Sequence, residues 1–271
     1  MDFLLHSKIA GSSINAIAAT RLTGNDQYLV TNNDQAEGTS SGVWEFDLQN
    51  SFKQGATTGQ ASIGWHWKRA PSYFDVVAYT GTGSNTTVTH NLGVIPEMMW
   101  VKPRNITDHW HVYHKDSTAN NYLLLNENLA NVDSDTVWND TTPTSSVFTV
   151  GTNGGVNGNG NNYVAYLFAT VSGVSKVGSY TGNGGTQNID CGFSSGARFV
   201  LIKRTDVSEG WKVHDSTRGI VAGEDPFLEL NNTNAENSSF DVIDPYSGGF
   251  AVNNFYGWNG SGGSYIFYAI A

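Results

Sequence analysis

The sequence is poor in cysteine, which crosslinks many small proteins through disulfides, and in charged residues. Among its 271 residues Cys191 is the single cysteine, so no disulfide can form within the chain. Charged residues make up 14% of the sequence, against about 25% in a typical domain. No apolar run approaches the roughly 18 residues of a membrane-spanning helix. These shortages argue against a disulfide scaffold and against membrane insertion, and stability must come from packing, subunit association or both.

Positive charge is also scarce. The chain carries 14 Lys and Arg against 24 Asp and Glu, a formal net charge of −10. A surface of this sign repels the phosphate backbone of nucleic acids, so we expect no nucleic-acid partner. The N-terminal stretch MDFLLHSKIA holds too short an apolar run for a signal peptide.

Glycine, asparagine, serine and threonine stand where charged and helix-forming residues are missing. Such a composition is poor for helices and typical of short strands joined by tight turns. The stretches HWHVYHK (109–115) and GWKVHDS (210–216) alternate with period two, which predicts strands. Aromatic residues reach 12%, which argues against disorder. The predicted fold class is all-β.

One ten-residue phrase is written three times. The copies are YLVTNNDQAE (28–37), YLLLNENLAN (122–131) and FLELNNTNAE (227–236). Each carries an asparagine four residues after its first aromatic: Asn32, Asn126 and Asn231. Asparagine at the end of a strand can begin a turn and bond nearby backbone. An internal repeat of this kind predicts a structural unit used three times.

The similarity extends on both sides of the phrase. Lys8, Lys102 and Lys203 precede it at what we interpret as one strand position. A recurrent lysine at a strand end usually blocks edge pairing or meets a carboxylate, so its expected role is structural.

The repeat predicts three tandem β-sandwich units, at residues 1–73, 74–172 and 173–271. The second and third units open alike, at residues 74–98 and 174–199, and the first unit has no such opening. The first sandwich is therefore truncated, and we expect it to expose a strand edge. A neighbouring unit, a preceding segment or a partner subunit could cover that edge, and we expect a subunit interface.

The second unit carries a series of motifs in a recognisable order. They are YTGTG (79–83), HNLGVIPEM (90–98), VKPRN (101–105), WHVY (110–113) and YLLLN (122–126). This series resembles a repeat of tail-fibre and other virion proteins of bacteriophages, particularly marine and cyanobacterial ones. The third unit departs from it, because Cys191 replaces His90 and Ala197 stands in the place of Pro96.

The resemblance implies a non-enzymatic structural protein of the virion, of tail-fibre type, that mediates attachment to the host cell. Its implied location is the tail fibre or the particle surface. Its implied partners are other virion proteins and a bacterial surface glycan or receptor, with the chain assembled as a homotrimer. Two alternatives remain: a capsid decoration or knob protein that contacts only virion proteins, and a monomeric carbohydrate-binding module.

Two patterns offer catalytic side chains without the required context. GFSSG (192–196) matches the G-x-S-x-G pattern of a hydrolase elbow, but a strand and not a helix is expected to follow Ser194. Glu229, Asp241 and Asp244 supply carboxylates for sugar hydrolysis, and no spacing pairs them across a bond. We therefore expect no enzymatic activity and no cofactor.

Metal binding is a further hypothesis. His109 and His111 would share one face of a strand, and three copies in a trimer would offer six imidazoles. The alternative is that both rings simply face solvent. The loops at 131–140 and 151–162 are rich in Asn, Asp and Gly, but they lack the spaced acids of a calcium loop and are interpreted as turns.

One loop differs between the second and third units. The second has NGGVNGNG (153–160), and the third has NNFYGWNG (253–260). Aromatic side chains that a sibling loop does without are not required by the fold, and they suit stacking on sugar rings or anchoring at interfaces. The candidate ligand-binding residues are Phe255, Tyr256, Trp258 and Asn259. The alternative is that they pack onto the sandwich or into a subunit contact.

Overall fold

Strands dominate the part of the chain that the structure describes. The computed structural model describes residues 1–10, 15–42, 44–46, 53–54 and 61–271. Every helix in these ranges is a single turn: a 3₁₀ turn at Lys115–Ser117, α1 (Asp135–Trp138), α2 (Gly154–Asn157) and α3 (Tyr256–Asn259). None of the described helices has the length and apolar character needed to cross a membrane. The predicted all-β class is confirmed.

The strands follow one another in three sets. The first set is β1 (Phe3–Lys8), β2 (Ala16–Thr20), β3 (Gln27–Val30), β4 (Gly38–Thr39), β5 (Trp44–Glu45), β6 (Lys53–Gln54) and β7 (Ser62–Trp67). The second set is β8 (Phe74–Thr80), β9 (Thr86–Thr89), β10 (Met98–Pro103), β11 (His111–His114), β12 (Asn121–Leu124), β13 (Val132–Asp133), β14 (Val147–Val150) and β15 (Asn162–Phe168). The third set is β16 (Ser175–Thr181), β17 (Gln187–Asp190), β18 (Phe199–Arg204), β19 (Trp211–Asp215), β20 (Leu228–Glu229), β21 (Ile243–Tyr246), β22 (Gly249–Val252) and β23 (Ser264–Ile270).

Each set builds one large antiparallel sheet and one small one. The first large sheet has the order β4-β3-β2-β1-β7, the second β13-β12-β11-β10-β15-β8, and the third β16-β23-β18-β19-β20. The small sheets are β5-β6, β9-β14 and β17-β22-β21. In every large sheet the strand that carries the lysine motif (β1, β10 or β18) lies between the next strand of its hairpin and the last strand of its set.

The central strands are apolar because both of their faces are covered. In β10, Met98 and Trp100 face one side of the sheet, while Met99 and Val101 face the other, and all four are buried. A strand covered on both faces reads as a continuous apolar run, as the stretch MMWV does. Each large sheet therefore needs apolar partners on both sides.

The inner faces of the three large sheets meet in one shared core. The ring of Phe3 from the first sheet lies 4.5 Å from that of Tyr166 in the second. Phe168 of the second sheet lies 5.0 Å from Tyr268 of the third, and Trp67 of the first lies 5.5 Å from Phe199 of the third. Aromatic pairs at such centroid distances interact favourably beyond their buried area. The sheets thus surround a common centre, an arrangement that differs from sandwich units strung in series.

The outer faces of the second and third sheets are covered by their own small sheets. Phe148 of β14 packs in one cluster with Met99 and Val101, and Phe250 of β22 does the same with Val200 and Ile202. Each of these pairs of layers is sandwich-like, as expected for a sheet with two apolar faces. On the first sheet, a smaller cluster of Leu4, Ala19 and Phe46 covers the outer face.

The asparagine of the repeated phrase makes the same hydrogen bond three times. The side-chain oxygens of Asn32, Asn126 and Asn231 accept from the backbone N–H groups of Ala16, Trp110 and Trp211, at 3.2, 3.0 and 2.7 Å. Each bond ties the middle of the phrase to the start of the neighbouring strand or to the residue just before it. The asparagine recurs because a buried backbone N–H needs a partner at this place.

Corresponding backbone bonds join the sets into a closed ring. The N–H of Glu37 donates to the carbonyl of Arg104, and that of Asn131 donates to the carbonyl of Thr205. The third bond closes the circle, because the N–H of Glu236 donates to the carbonyl of Ile9. The three sets therefore meet through interfaces of one kind.

The expected alignment of the three lysines is wrong by one residue in the first sheet. Lys102 pairs with Val164 and Lys203 with Ile266, and both lysine side chains lie on the core side of their sheets. In the first sheet Phe3 and Leu5 face the core, so Ser7 stands at the corresponding position and Lys8 points to the opposite face. Successive side chains on a strand alternate between faces, so a shift of one residue reverses the side.

The two buried lysines neither block an edge nor meet a carboxylate. Lys102 Nζ donates to the carbonyl oxygens of Asp34 and Pro103, at 3.2 and 3.0 Å. Lys203 Nζ donates to those of Asn128 and Glu209, at 3.2 and 2.5 Å. Asp34 and Asn128 belong to the preceding set of strands, so each lysine ties its own sheet to the one before it.

Candidate ligand-binding groove

The aromatic loop of the third set borders an open groove. Five aromatic side chains line it: Phe227, Phe240, Phe255, Tyr256 and Trp258. Polar groups line it as well: Glu209, Lys212, Glu229, Asn234 and Asn237. The volume of this aromatic groove is about 430 Å³, within the range of about 300–1,000 Å³ seen for small-molecule sites.

The short helix α3 is held in place from below by three groups. Tyr180, the tyrosine of the motif YTGNG, donates its hydroxyl to the carbonyl of Trp258 at 2.5 Å. The Tyr265 hydroxyl and Arg204 Nη1 both donate to the carbonyl of Tyr256, at 2.6 and 3.1 Å. All three bonds end on backbone carbonyls, so they position α3 without engaging its side chains.

Tyr256 presents the most exposed ring of the groove. Its side chain is 59% exposed, while the guanidinium of Arg204 lies 4.1 Å from the centre of the ring. Asp206 holds that guanidinium through two hydrogen bonds of 2.9 Å, which raise the pKa of Arg204. A cation over the ring favours this orientation, by about 0.5–1 kcal/mol at an exposed site. Tyr256 is thus a rigid, accessible aromatic surface.

Trp258 forms the base of the groove and is 7% exposed. Its indole N–H donates to His214 Nε2 at 2.8 Å, and its ring lies 4.8 Å from that of Phe227. Burial lowers the pKa of His214 to about 3, so the imidazole stays neutral and can accept this bond. The main contribution of Trp258 is packing, which was the alternative drawn from the sequence.

Phe255 and Asn259 have different surroundings. Phe255 is half-buried and meets the exposed ring of Phe240 edge-on at 5.5 Å, so the two widen the aromatic wall. Asn259 is fully buried, and its amide bonds Asn183 and Gly185 in the turn between β16 and β17. Its side chain is occupied by these bonds and does not line the groove, so the predicted ligand contact of Asn259 is not supported by its position.

The charged wall opposite the aromatics is an internally paired cluster. Lys212 Nζ lies 2.7 Å from Glu209 Oε2 and 3.7 Å from Glu229 Oε1, and Asn232 donates to the other oxygen of Glu229. Lys212 also lies 4.9 Å from the centre of the Trp258 ring. Two carboxylates against one ammonium leave the wall rich in hydrogen-bond acceptors, which suits a ligand with hydroxyl groups.

The corresponding place in the second set is filled. Val156 replaces Trp258 and is fully buried, and His111 stands where Lys212 stands in the third set. The His111 ring lies 5.2 Å from that of Tyr122 and against Gly155, where a side chain would collide with it. The groove is therefore a feature of the third set.

His109 and His111 are not arranged as a metal pair on one strand. His109 precedes β11, is half-exposed, and bonds Asn126 Nδ2 through its Nδ1 at 2.8 Å. His111 is buried, and burial lowers its pKa to about 4. Across the described ranges, no three His, Cys, Asp or Glu side chains come together as a metal site. The loop at 151–162 forms α2 and a turn. Asn157 Nδ2 donates hydrogen bonds to the carbonyls of Ser84 and Gly151 and so holds this loop in place.

The catalytic candidates do not form one catalytic site, although Asp241 and Asp244 approach each other. Ser194 is in a bend that leads into β18, without the helix of a hydrolase elbow. Asp241 and Asp244 both accept from Asn253 Nδ2, at 2.6 and 2.8 Å. Glu229 is the one carboxylate of the three that lines the groove, where it faces Lys212.

Several residues of the groove were missed by sequence reasoning. Arg204 contacts the ring of Tyr256 and Lys212 lines the groove, and neither was a candidate from the sequence; nor was Phe240. In the second set its counterpart is Trp138, which is fully buried, whereas Phe240 is 41% exposed. The two residues differ in exposure and not in type, so the sequence alignment alone does not identify Phe240.

Residues 4–271 match a protein family described as a domain of unknown function (DUF7483). The chain belongs to the DUF7483 family. No curated protein and no solved structure matches it. The DUF7483 match spans all three large sheets, so the closed ring and the aromatic groove both lie within the family domain.

Proposed function

We propose that this protein is a non-enzymatic structural protein of a bacteriophage virion, of tail-fibre type, that attaches the particle to a glycan on the host surface. The order of motifs from YTGTG to YLLLN supports the virion assignment through its resemblance to phage fibre repeats. The aromatic groove supports the attachment role. The observation that carries the proposal is the exposed ring of Tyr256, held rigid beside hydrogen-bond acceptors.

The chemistry of the groove fits a sugar. Aromatic faces stack on the C–H faces of sugar rings, and carboxylate and amide groups bond their hydroxyls. A volume near 430 Å³ accommodates a short piece of a glycan and not a folded partner. Single contacts of this size are weak, so attachment would depend on several copies engaging one surface.

Binding of labelled protein to intact bacteria, with competition by purified surface polysaccharides, tests the attachment role. We expect Tyr256→Ala to reduce glycan affinity about tenfold, a loss of about 1.4 kcal/mol, because the variant removes the stacking surface. The fold should survive, since Arg204 and Tyr265 bond the backbone carbonyl of Tyr256. Ile95→Ala, which removes an exposed apolar side chain on the second set, is the matched control. Equal binding by wild type and Tyr256→Ala would contradict the role of the groove.

Immunogold labelling of virions distinguishes the tail-fibre proposal from the decoration alternative. Label at the tail tip with glycan binding supports attachment, and label on the capsid without glycan binding supports a decoration or knob protein. The homotrimer is part of the proposal, and light scattering should give three times 29.3 kDa. A mass of one chain with intact glycan binding would favour the carbohydrate-binding module. One chain already places three sheets round a common core, so the core itself does not require a trimer.

A further inference from the structure

The described part of the first large sheet lacks the edge strand that the other two carry next to their last strand. In the second sheet β8 pairs with the outer edge of β15, and in the third sheet β16 pairs with the outer edge of β23. The strand β7 holds the same place in the first sheet, next to β1. Within residues 1–10, 15–42, 44–46, 53–54 and 61–271, no strand pairs with its other edge.

The described part of the small sheet of the first set lacks the strand that corresponds to β9 and β17. In the third set β22 lies between β21 and β17, and in the second set β14 pairs with β9. In the first set β6 pairs with β5, and no other described strand adjoins it. The missing strands are consecutive in the other sets, because β8 leads directly into β9 and β16 into β17. A single segment would therefore complete both layers of the first set.

The path of the chain indicates where such a segment would enter. Residues 68–73 lead from β7 into β8, and residues 169–174 lead from β15 into β16. The N–H of Ala169 donates to the carbonyl of Tyr73, and the N–H of Ala271 donates to that of Val174 in the same way. A polypeptide that left β23 along this path would arrive beside β7. A cleft of about 220 Å³, bordered by Ile63, Gly64 and Ala271, already lies there.

We propose that the edge of β7 is a strand acceptor, and that its occupant is the opening segment of a repeat of this type, supplied by a second polypeptide. The segment would run antiparallel to β7 and then continue onto β6, as β16 and β17 do on β23 and β22. Main-chain hydrogen bonds to an open sheet edge provide the affinity in such strand addition. The Y-T-G-x-G turn allows the occupant to pass from one layer to the other.

The side chains of β7 indicate which kind of opening segment fits. In the third sheet Ser175 pairs with Ile270 and Val177 with Tyr268, whereas in the second sheet Phe74 pairs with Phe168. The positions on β7 that correspond to Ile270 and Tyr268 carry the larger rings of Trp67 and Trp65, which are already buried. A small first residue, as in β16, leaves more room beside Trp67 than a phenylalanine would.

Pairing of β7 with the β7 strand of a second copy satisfies these observations less well. Such a dimer would cover the edge of the large sheet and leave β6 as it is. A two-strand segment completes both layers, as in the other sets. The acceptor is independent of the aromatic groove, which lies on the third set.

A synthetic peptide with the sequence of residues 174–190 tests the acceptor in trans. We expect saturable binding by fluorescence anisotropy, protection of β7 amides from hydrogen exchange, and a Tm increase of about 5 °C at a peptide concentration 100-fold above Kd. The matched control is the same peptide with proline in place of Lys176 and Gly178, which occupy the hydrogen-bonded positions of β16 opposite β23, so it cannot pair along an edge. Binding that fails to protect β7, or equal binding by the proline peptide, would overturn the proposal.

A fusion tests the acceptor even where a free peptide binds poorly. Residues 170–190 are repeated after Ala271, which supplies the same connection that leads from Ala169 into β16. We expect a higher Tm than that of wild type, protected β7 amides and loss of binding to the free peptide. The fusion that carries the two prolines should behave like wild type. An unchanged Tm and unprotected β7 in the first fusion would refute the proposal, as would a solution dimer in which β7 is already protected.

Discussion

Lys102 and Lys203 are the side chains whose environment departs most from their type. Lysine is almost never fully buried without a partner, yet both are fully buried and each bonds two backbone carbonyls. Burial lowers the pKa of Lys102 to about 8 and that of Lys203 to about 7. Each ammonium satisfies a carbonyl at the seam between two sets of strands, where an orphaned acceptor would cost about 1–3 kcal/mol.

We expect Lys203→Met to lower the free energy of unfolding by about 1–3 kcal/mol, because the carbonyls of Asn128 and Glu209 lose their donor. The difference from wild type should widen as the pH rises from about 7 to about 10. The folded pKa is depressed, so the unfolded lysine binds more protons in this range and wild type gains stability with pH, whereas the variant does not. Urea unfolding at several pH values measures this.

Lys8→Met is the control for the lysine prediction. Lys8 lies on the opposite face of its strand and does not occupy the buried position. Its replacement should change the free energy of unfolding by less than about 0.5 kcal/mol. A difference between Lys203→Met and wild type that stays constant with pH would contradict the burial argument.

The Y-T-G-x-G turn is the element that joins the layers of the second and third sets. Tyr79 and Tyr180 hold the α2 and α3 loops through bonds to the carbonyls of Val156 and Trp258. Gly184 has φ +71°, in the left-handed region that favours glycine. Gly182 is needed for a different reason, because a side chain there would run into the carbonyl oxygen of Gly260. The motif therefore encodes a close approach between two backbones.

We expect Gly182→Ala to destabilise the protein by about 2–4 kcal/mol, because the added methyl group meets backbone that cannot move away cheaply. The same change should weaken glycan binding, since α3 would shift. Gly185→Ala is the matched control, because the nearest atom to its added methyl group is 3.6 Å away. Chemical denaturation measures both variants, and equal stabilities would disprove the close-approach argument.

At the scale of the whole molecule, the packed ring buries neutral histidines. His111, His114 and His214 are almost or fully inaccessible. Burial is the main cause that lowers their pKa values, to about 4, 3 and 3 respectively. A buried imidazole stays neutral while the unfolded chain takes up a proton near pH 6.5, so acid favours unfolding.

We expect Tm to fall as the pH decreases from about 6.5 towards about 4, with the loss continuing to about 3. The folded pKa values are depressed, so the stability is complete above the unfolded value and is lost as the pH falls towards the folded values. Carboxylates with lowered pKa, such as Glu97 and Asp206, contribute in a lower window, below about pH 4.5. Calorimetry across this range is the measurement. A Tm that is constant down to about pH 4.5 would contradict the histidine contribution.

The sequence predicted where strands form, but it did not predict which surfaces pack against them. The alternation in HWHVYHK and GWKVHDS placed β11 and β19, and the YTG motifs placed the turns after β8 and β16. The aromatic loop was recognisable because its sibling lacks aromatics. The burial of Trp258 and Asn259 could not be predicted, because nothing in the sequence of the loop distinguishes them from an exposed neighbour such as Tyr256. Whether a loop side chain turns inward depends on the space that other strands leave for it.

By itself, the sequence determines that this chain forms strands, where its Gly turns lie, and that one phrase recurs with one local task. These properties depend on residues close together in the chain, through period-two alternation and turn chemistry. Only the tertiary structure decided that three large sheets share one core, that Lys102 and Lys203 are buried while Lys8 is not, and that the edge expected of the truncated first unit belongs, among the described strands, to β7. An apolar face must be covered, but its sequence does not specify which of several similar faces covers it. That choice follows from the closure of the whole ring.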